Sequence, residues 1–153
     1  MSVQMDLLSA ARAMSGNVEG GNVAFLGVST DSRSVAAGEL FVALRGERFD
    51  GHEFVAAAYE RGAAAVVVDA AGAEAMRSVA ADLPRIVVAD TRIALGELAA
   101  AWRARFSLPV IGVTGSNGKT TNKEMITSIL KAAFGADAVL ATQGNLNNDI
   151  GLP

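Results

Sequence analysis

The sequence predicts an α/β fold with mainly parallel sheets, and three observations carry that expectation. Strand-length apolar runs alternate with helix-patterned segments along the chain. Apolar residues make up 51% of the 153 residues but aromatics only 5%, so Ala and Val fill the core, which suits closely packed sheet and helix layers. One apolar run, Leu108 to Val113, passes through a glycine-rich turn into a helix-patterned run, Asn122 to Phe134. The break at Asp82-Leu83-Pro84 divides the chain into a small α/β module, residues 1–84, and the beginning of a phosphate-loop domain, residues 85–153.

In chain order, Asp6 to Met14 has helical spacing, and Ser15-Gly16-Asn17 stops it. The segment from Met1 to Ala13 carries Asp6 and Arg12 inside its apolar pattern, without a basic leader, so it reads as an amphipathic helix rather than a signal peptide. Val23 to Val28 is a short strand candidate, followed by the turn cluster Ser29-Thr30-Asp31-Ser32-Arg33. Glu39 to Leu44 is a strand, Arg45 to His52 a charged loop, Glu53 to Arg61 a helix ended by Gly62, and Ala63 to Asp69 a buried strand. That continuous apolar strand after a helix marks a parallel β-α-β unit. Ala70 to Ala81 is helical and Arg85 to Ala89 is another strand. Asp90-Thr91 caps a helix over Arg92 to Phe106 with Ile93, Leu95, Leu98 and Trp102 as its apolar side. Ala138 to Ala141 is a further strand, ahead of the amide-rich loop Thr142 to Asp149.

Composition excludes several function classes. A net charge of −3 leaves no electrostatic footprint for nucleic acid or anionic lipid. With no cysteine there is no disulfide framework and no thiolate metal site. No apolar run approaches the ~18–20 residues of a membrane span. The expectation is a soluble, cytoplasmic protein with no nucleic-acid partner and no membrane insertion. The chain stops at Pro153 directly after Asp149-Ile150-Gly151-Leu152, without a cap or polar tail, and so reads as cut within a fold. The sheet edges left exposed by an incomplete domain would favour self-association.

The strongest chemical signal is Gly112-Val113-Thr114-Gly115-Ser116-Asn117-Gly118-Lys119-Thr120-Thr121. Backbone N–H groups of such a turn and the helix N-terminus behind it both point partial positive charge at an anion. Lys119 can reach terminal phosphates and Thr120 can place its hydroxyl on Mg²⁺. Val113 stands where the general phosphate-loop pattern has glycine, so the glycines here are displaced. Of the carboxylates after the loop, Glu124 lies on the following helix, Asp137 precedes a strand and Asp149 sits in the amide-rich loop, so a second Mg²⁺ ligand is missing. Read on their residues alone, Ser29 to Arg33 are turn chemistry, since Ser, Thr and Asp bond their own backbone. The amide-rich loop is either a polar turn or a set of donors and acceptors for a ligand at a strand end. His52, the single histidine, reads as a structural loop residue with no apparent catalytic partner in sequence.

The loop at 112–121 resembles the ATP loop of the Mur ligases, which carry the same displaced glycines. Asp31-Ser32-Arg33, Gly38 to Leu44, Asp50-Gly51-His52 and Gly62-Ala63 resemble the UDP-binding domain of the later members of that family. Lys123-Glu124-Met125 and the run from Gly144 to Pro153 are similar to the branch that adds D-alanyl-D-alanine. The branch that adds meso-diaminopimelate or lysine shares the first module but usually not that run. The resemblance implies a UDP-MurNAc-peptide-binding module followed by the start of the ATP-binding central domain. Its cofactors would be ATP and Mg²⁺, and its partners UDP-MurNAc-tripeptide and D-alanyl-D-alanine, with either lysine or diaminopimelate as the third peptide residue.

By position, Thr114, Gly115, Ser116, Asn117, Gly118, Lys119, Thr120 and Thr121 would hold ATP, with Lys119 catalytic and Thr120 on Mg²⁺. Ser29, Thr30, Asp31, Ser32 and Arg33, together with Glu47, Arg48 and Phe49, would hold the UDP portion. Asn145, Asn147 and Asn148 would face the substrate near the γ-phosphate. The resemblance further implies that the remaining Mg²⁺ ligands, a modified lysine and a C-terminal domain lie outside these residues, and that this chain alone is inactive. Two other readings remain: a module that binds a UDP-sugar or nucleotide without turnover, and an unrelated phosphate-loop kinase or ATPase, against which the Asp31-Ser32-Arg33 module weighs.

Overall fold

The computed structural model describes residues 5–46, 49–78 and 80–142. They form two compact units that part between Arg103 and Ala104. In the first unit the chain runs β1 (Met5–Asp6), α1 (Leu7–Ala13), β2 (Asn17–Glu19), β3 (Ala24–Phe25), β4 (Val28–Ser29), β5 (Leu40–Val42), α2 (Val55–Glu60), β6 (Ala65–Asp69), α3 (Ala70–Met76), β7 (Arg85–Val88) and α4 (Thr91–Arg103). A short 3₁₀ turn, Gly51–Phe54, leads into α2.

The main sheet has five strands in the order β2-β7-β6-β5-β4. β4 to β7 are parallel and only β2, at one edge, runs antiparallel. The predicted α/β class with a mainly parallel sheet is therefore what forms. Alternation along the central strands explains the layers. Phe41, Val66 and Val68 join Val55 and Ala58 of α2 and Ala73 and Met76 of α3 in one buried cluster. Leu40, Val42, Ala65 and Val67 take the alternate positions and are fully buried too, on the side where α1 and α4 pack. Strands covered on both faces need no polar alternation, which is why β5 and β6 read as unbroken apolar runs.

Three expectations change. The boundary expected near Pro84 falls inside the first unit, because β7 is hydrogen-bonded between β6 and β2 and cannot leave that sheet. The single strand expected over Val23–Val28 is two: β3 pairs antiparallel with β1, and β4 pairs parallel with β5. The buried side of α4 is Thr91, Ala94, Leu95 and Leu98, which keeps Leu95 and Leu98 of the expected face, whereas Ile93 is exposed at 63% and Trp102 at 37%. The cap expected for that helix is present, with Asp90 Oδ1 accepting from the N–H groups of Arg92 and Ile93. β2 escaped the sequence reading because Asn17-Val18-Glu19 has one apolar residue and owes its conformation to β7.

The second unit is built on α5 (Lys119–Phe134), followed by a 3₁₀ turn at Ala136–Ala138. The strands expected over Leu108–Val113 and Ala138–Ala141 do not form, and no described residue after Arg103 is in a strand. A strand is defined by its ladder, and among the described residues of this unit no partner supplies one. Val110, Ile111, Ile129 and Phe134 are correspondingly exposed. No helix among the described residues is long and apolar enough to cross a membrane.

Candidate functional site

In the second unit the glycine-rich turn delivers the chain into α5. Gly115 and Gly118 have φ of 149° and 74°, in the region glycine tolerates and side chains resist. Gly118 is the N-cap of α5, and no side chain caps the helix there. The N–H groups of the first turn, contributed by Lys119, Thr120 and Thr121, therefore face an N-terminus that concentrates positive potential. Lys119 is half-buried and folds back, its Nζ donating to Gly115 O at 2.6 Å. Thr114, Ser116 and Asn117 are exposed in the turn itself. The residues expected to hold a triphosphate thus lie along one turn and one helix end, with the ammonium bonded back to the Gly115 carbonyl.

One turn further along α5, Lys123 Nζ donates to Thr142 O at 2.5 Å and pairs with Glu124 at 2.8 Å. That ammonium lowers the pKa of Glu124, by hydrogen bonding and by charge. Glu124 is thereby committed to an ion pair on the helix surface. Among the described residues no group of three or more His, Cys, Asp or Glu side chains could hold a metal. Asn145, Asn147 and Asn148 lie outside the described residues, as do Glu47 and Arg48.

In the first unit, four parallel strands end at the same edge of the sheet, the place where open α/β sheets take ligands. Ser29 ends β4, and the turn after it is organised by Asp31. Asp31 Oδ1 accepts from the Arg33 N–H and Nε, both at 2.9 Å, and Oδ2 accepts from Arg33 Nη2 at 2.7 Å. Ser29 Oγ donates to Asp31 O and accepts from Asp31 N–H. The Arg33 hydrogen bonds hold the Asp31 carboxyl well below its ordinary value, at about 2. Thr30 is exposed and Ser32 half-buried in the same turn. The turn chemistry read from the residues is present, so Asp31 and Arg33 shape the turn, while the backbone and hydroxyls of 29–32 border the sheet edge.

The loop after β5 brings together residues the sequence reading left apart. Arg45 and Asp50 form an antiparallel bridge. Arg45 Nε pairs with Asp69 Oδ2 at 2.9 Å, and Arg45 Nη2 with Asp50 Oδ2 at 3.5 Å. The His52 side chain, 7% exposed, lies between the two carboxylates, with Nδ1 2.5 Å from Asp50 Oδ1 and Nε2 accepting from the Asp69 N–H at 3.2 Å. Burial would raise the Asp50 carboxyl, but hydrogen bonds from the His52 backbone and ring outweigh it and hold the pKa down. Phe49, 60% exposed, lays its ring over Gly46. His52 is structural, as expected, yet it has the partners that sequence did not reveal. The available signal was the Asp69-Ala70-Ala71-Gly72 cap spacing at the end of the neighbouring strand.

Two family models match the chain: "Mur ligase family, catalytic domain" over residues 25–103 and "Mur ligase middle domain" over residues 113–153. The UDP-N-acetylmuramoyl-tripeptide–D-alanyl-D-alanine ligase of Escherichia coli is 42% identical over 151 residues, 99% of this chain and 31% of that protein. The Synechocystis ligase of the same description is 47% identical over 126 residues, 82% of this chain and 26% of that protein. The UDP-N-acetylmuramoyl-L-alanyl-D-glutamate–2,6-diaminopimelate ligase of Aquifex aeolicus is 44% identical over 118 residues, 76% of this chain and 23% of its own length. Among solved structures, MurF from Acinetobacter baumannii superposes with a TM-score of 0.76 at 41% identity, covering 94% of this chain and 30% of that one. MurF ligase from Thermotoga maritima, in complex with ADP, gives 0.69 at 37% identity over 82% of this chain and 27% of that one. The chain therefore spans under a third of the length of these relatives. With one family model matching in each of its two units, the first over half of the chain, the chain belongs to the Mur ligase family.

Proposed function

We propose that these residues are the N-terminal part of a cytoplasmic, ATP-dependent amide ligase that joins D-alanyl-D-alanine to UDP-MurNAc-tripeptide. The observation that carries the reading is the 42% identity to a ligase of that description over 151 residues, across both units. In the reaction, the tripeptide carboxylate oxygen attacks the γ-phosphorus of ATP and the bond to ADP breaks, giving an acyl phosphate. The dipeptide amine then attacks the acyl carbon, loses a proton, and expels phosphate.

This chain's residues supply the binding end of that chemistry. The N–H groups of the Gly115–Gly118 turn and of the first turn of α5 would cradle the phosphates, and Lys119 would neutralise charge developing on them. Its present partner, the Gly115 carbonyl, is neutral, so an anionic phosphate oxygen is a stronger acceptor for the same ammonium. Thr120 would hold Mg²⁺, which supplies charge neutralisation across the phosphates when bound. Ser29 to Arg33 and the loop carrying Glu47, Arg48 and Phe49 would hold the UDP portion, and Asn145, Asn147 and Asn148 would face the substrate near the γ-phosphate.

The test is calorimetric titration of the chain with UDP-MurNAc-tripeptide and with Mg–ATP. Binding of the UDP ligand without ATP turnover is expected. Turnover of ATP by these 153 residues alone would overturn the reading that they bind without catalysing. A second reading, ligation of a diaminopimelate-type amino acid, is favoured by the 44% identity to the Aquifex aeolicus ligase. Offering D-alanyl-D-alanine and diaminopimelate in competition to the full-length ligase separates the two.

A further inference from the structure

We infer that His52 is a positioning residue: acting through Asp50, it sets the turn that presents Phe49 at the carboxyl edge of the main sheet. The consequence for binding rests on the reading that Phe49 contacts the UDP portion of the substrate. The geometry of the turn does not.

Both imidazole nitrogens are committed, and in opposite senses. The Asp69 N–H donates to Nε2, so Nε2 is the acceptor and Nδ1 carries the proton that Asp50 Oδ1 accepts. The same Oδ1 accepts the His52 backbone N–H, which leaves Oδ2 to Arg45 across the bridge that closes the loop. Arg45 is tied in turn to Asp69, at the start of α3. The two ends of the loop are thus fastened to each other and to the neighbouring strand end. Inside that closure the Gly46 N–H donates to Phe49 O, and the Phe49 ring covers the face of Gly46 where a Cβ would stand.

Charge decides between a binding role and a geometric one. Arg45 contributes one positive charge, Asp50 and Asp69 two negative, and the Nδ1–H tautomer none, which leaves the cluster at −1. A diphosphate would be repelled by that sum. The cluster orients the loop and does not lend charge to a ligand. A buried ring with a donor on one side and an acceptor on the other can span Asp50 and the Asp69 backbone together, which a purely space-filling side chain cannot.

The experiment compares wild type with His52→Asn, His52→Gln, His52→Ala and Asp50→Asn in the full chain. It reads amide exchange at Gly46 by NMR and affinity for UDP by calorimetry. Asn places its amide donor where Nδ1 stands, whereas Gln places an acceptor where Nε2 stands. His52→Asn should keep Gly46 protected and hold UDP affinity within about threefold. His52→Gln, His52→Ala and Asp50→Asn should lose Gly46 protection and roughly tenfold or more in affinity, with Val67 in the core still protected. Unchanged Gly46 exchange in His52→Gln and Asp50→Asn, or His52→Asn no better than His52→Ala, overturns the inference. If Gly46 responds as expected but wild type ignores UDP, the positioning role stands and the substrate reading fails.

Discussion

Gly72→Ala separates helix propensity from close packing at the sheet edge. Gly72 lies inside α3, where alanine is favoured over glycine by about 1 kcal/mol. A methyl group there would fall within the imidazole of His52. The ring cannot swing aside cheaply, since it is 7% exposed and held by Asp50 on one side and the Asp69 N–H on the other. Displacing it costs roughly 1–3 kcal/mol of overpacking and roughly 1–3 kcal/mol for buried groups left unpaired. Against a gain of about 1 kcal/mol, even the low ends of the two costs leave a net loss of about 1 kcal/mol or more. Urea unfolding followed by the fluorescence of Trp102, the only tryptophan, reports on the unit that contains this site. In a His52→Ala background the obstacle is gone, and Gly72→Ala should stabilise by about 1 kcal/mol, a coupling of about 2 kcal/mol or more. A neutral or stabilising Gly72→Ala in the wild-type chain, or an equal loss in both backgrounds, refutes the reasoning.

Other positions give sharp expectations. Arg85 is buried, with Nη1 and Nη2 donating to the Ala73 and Ala81 carbonyls and Nε unpaired apart from Glu19 at 3.7 Å. Arg85→Ala should cost about 3 kcal/mol, while Arg85→Met, which refills the volume, should cost only about 1 kcal/mol by the same urea assay. Arg33→Ala should return the Asp31 carboxyl from about 2 towards its ordinary 3.8, read by a carbon-detected NMR titration. Because the folded value is the lower one, the stability this turn contributes is complete above 3.8 and is lost as pH falls through about 2. Gly118→Ala forces a side chain to φ of 74° and should cost roughly 1–2 kcal/mol in α5 stability, visible as faster amide exchange in its first turn. Lys119→Ala should leave helicity unchanged and weaken Mg–ATP binding roughly 10–100-fold by calorimetry.

How much was legible depended on whether a segment's conformation is set by its own residues. Asp90 announced a helix start because a cap is local chemistry, and its side chain accepts the N–H groups of Arg92 and Ile93; Asp6, read as part of its helix, is the cap of α1. β5 and β6 announced themselves because burial on both faces leaves an unbroken apolar run. β2 did not, and the boundary near Pro84 went astray for the related reason that a proline-terminated turn looks the same inside a domain as between two. Only the pairing of β7 with both β2 and β6 shows which it is.

The site follows the same division. The glycine-rich turn was visible as a contiguous motif, since its glycines, Lys119 and Thr120 fall within the ten residues 112–121 and α5 starts directly after Gly118. The clasp at the other unit's sheet edge draws on Arg45, Asp50, His52, Asp69 and Gly72, which no periodicity links. They meet because β5 and β6 are parallel neighbours in register, Val42 opposite Val67, so the loop leaving one strand must lie beside the helix start leaving the next. A residue type alone gave His52 too little: its role comes from a donor and an acceptor whose partners, Asp50 and the Asp69 N–H, sit on different crossovers. Asp50 is two positions away and could be suspected from sequence. Asp69, seventeen away, becomes a partner only through the sheet.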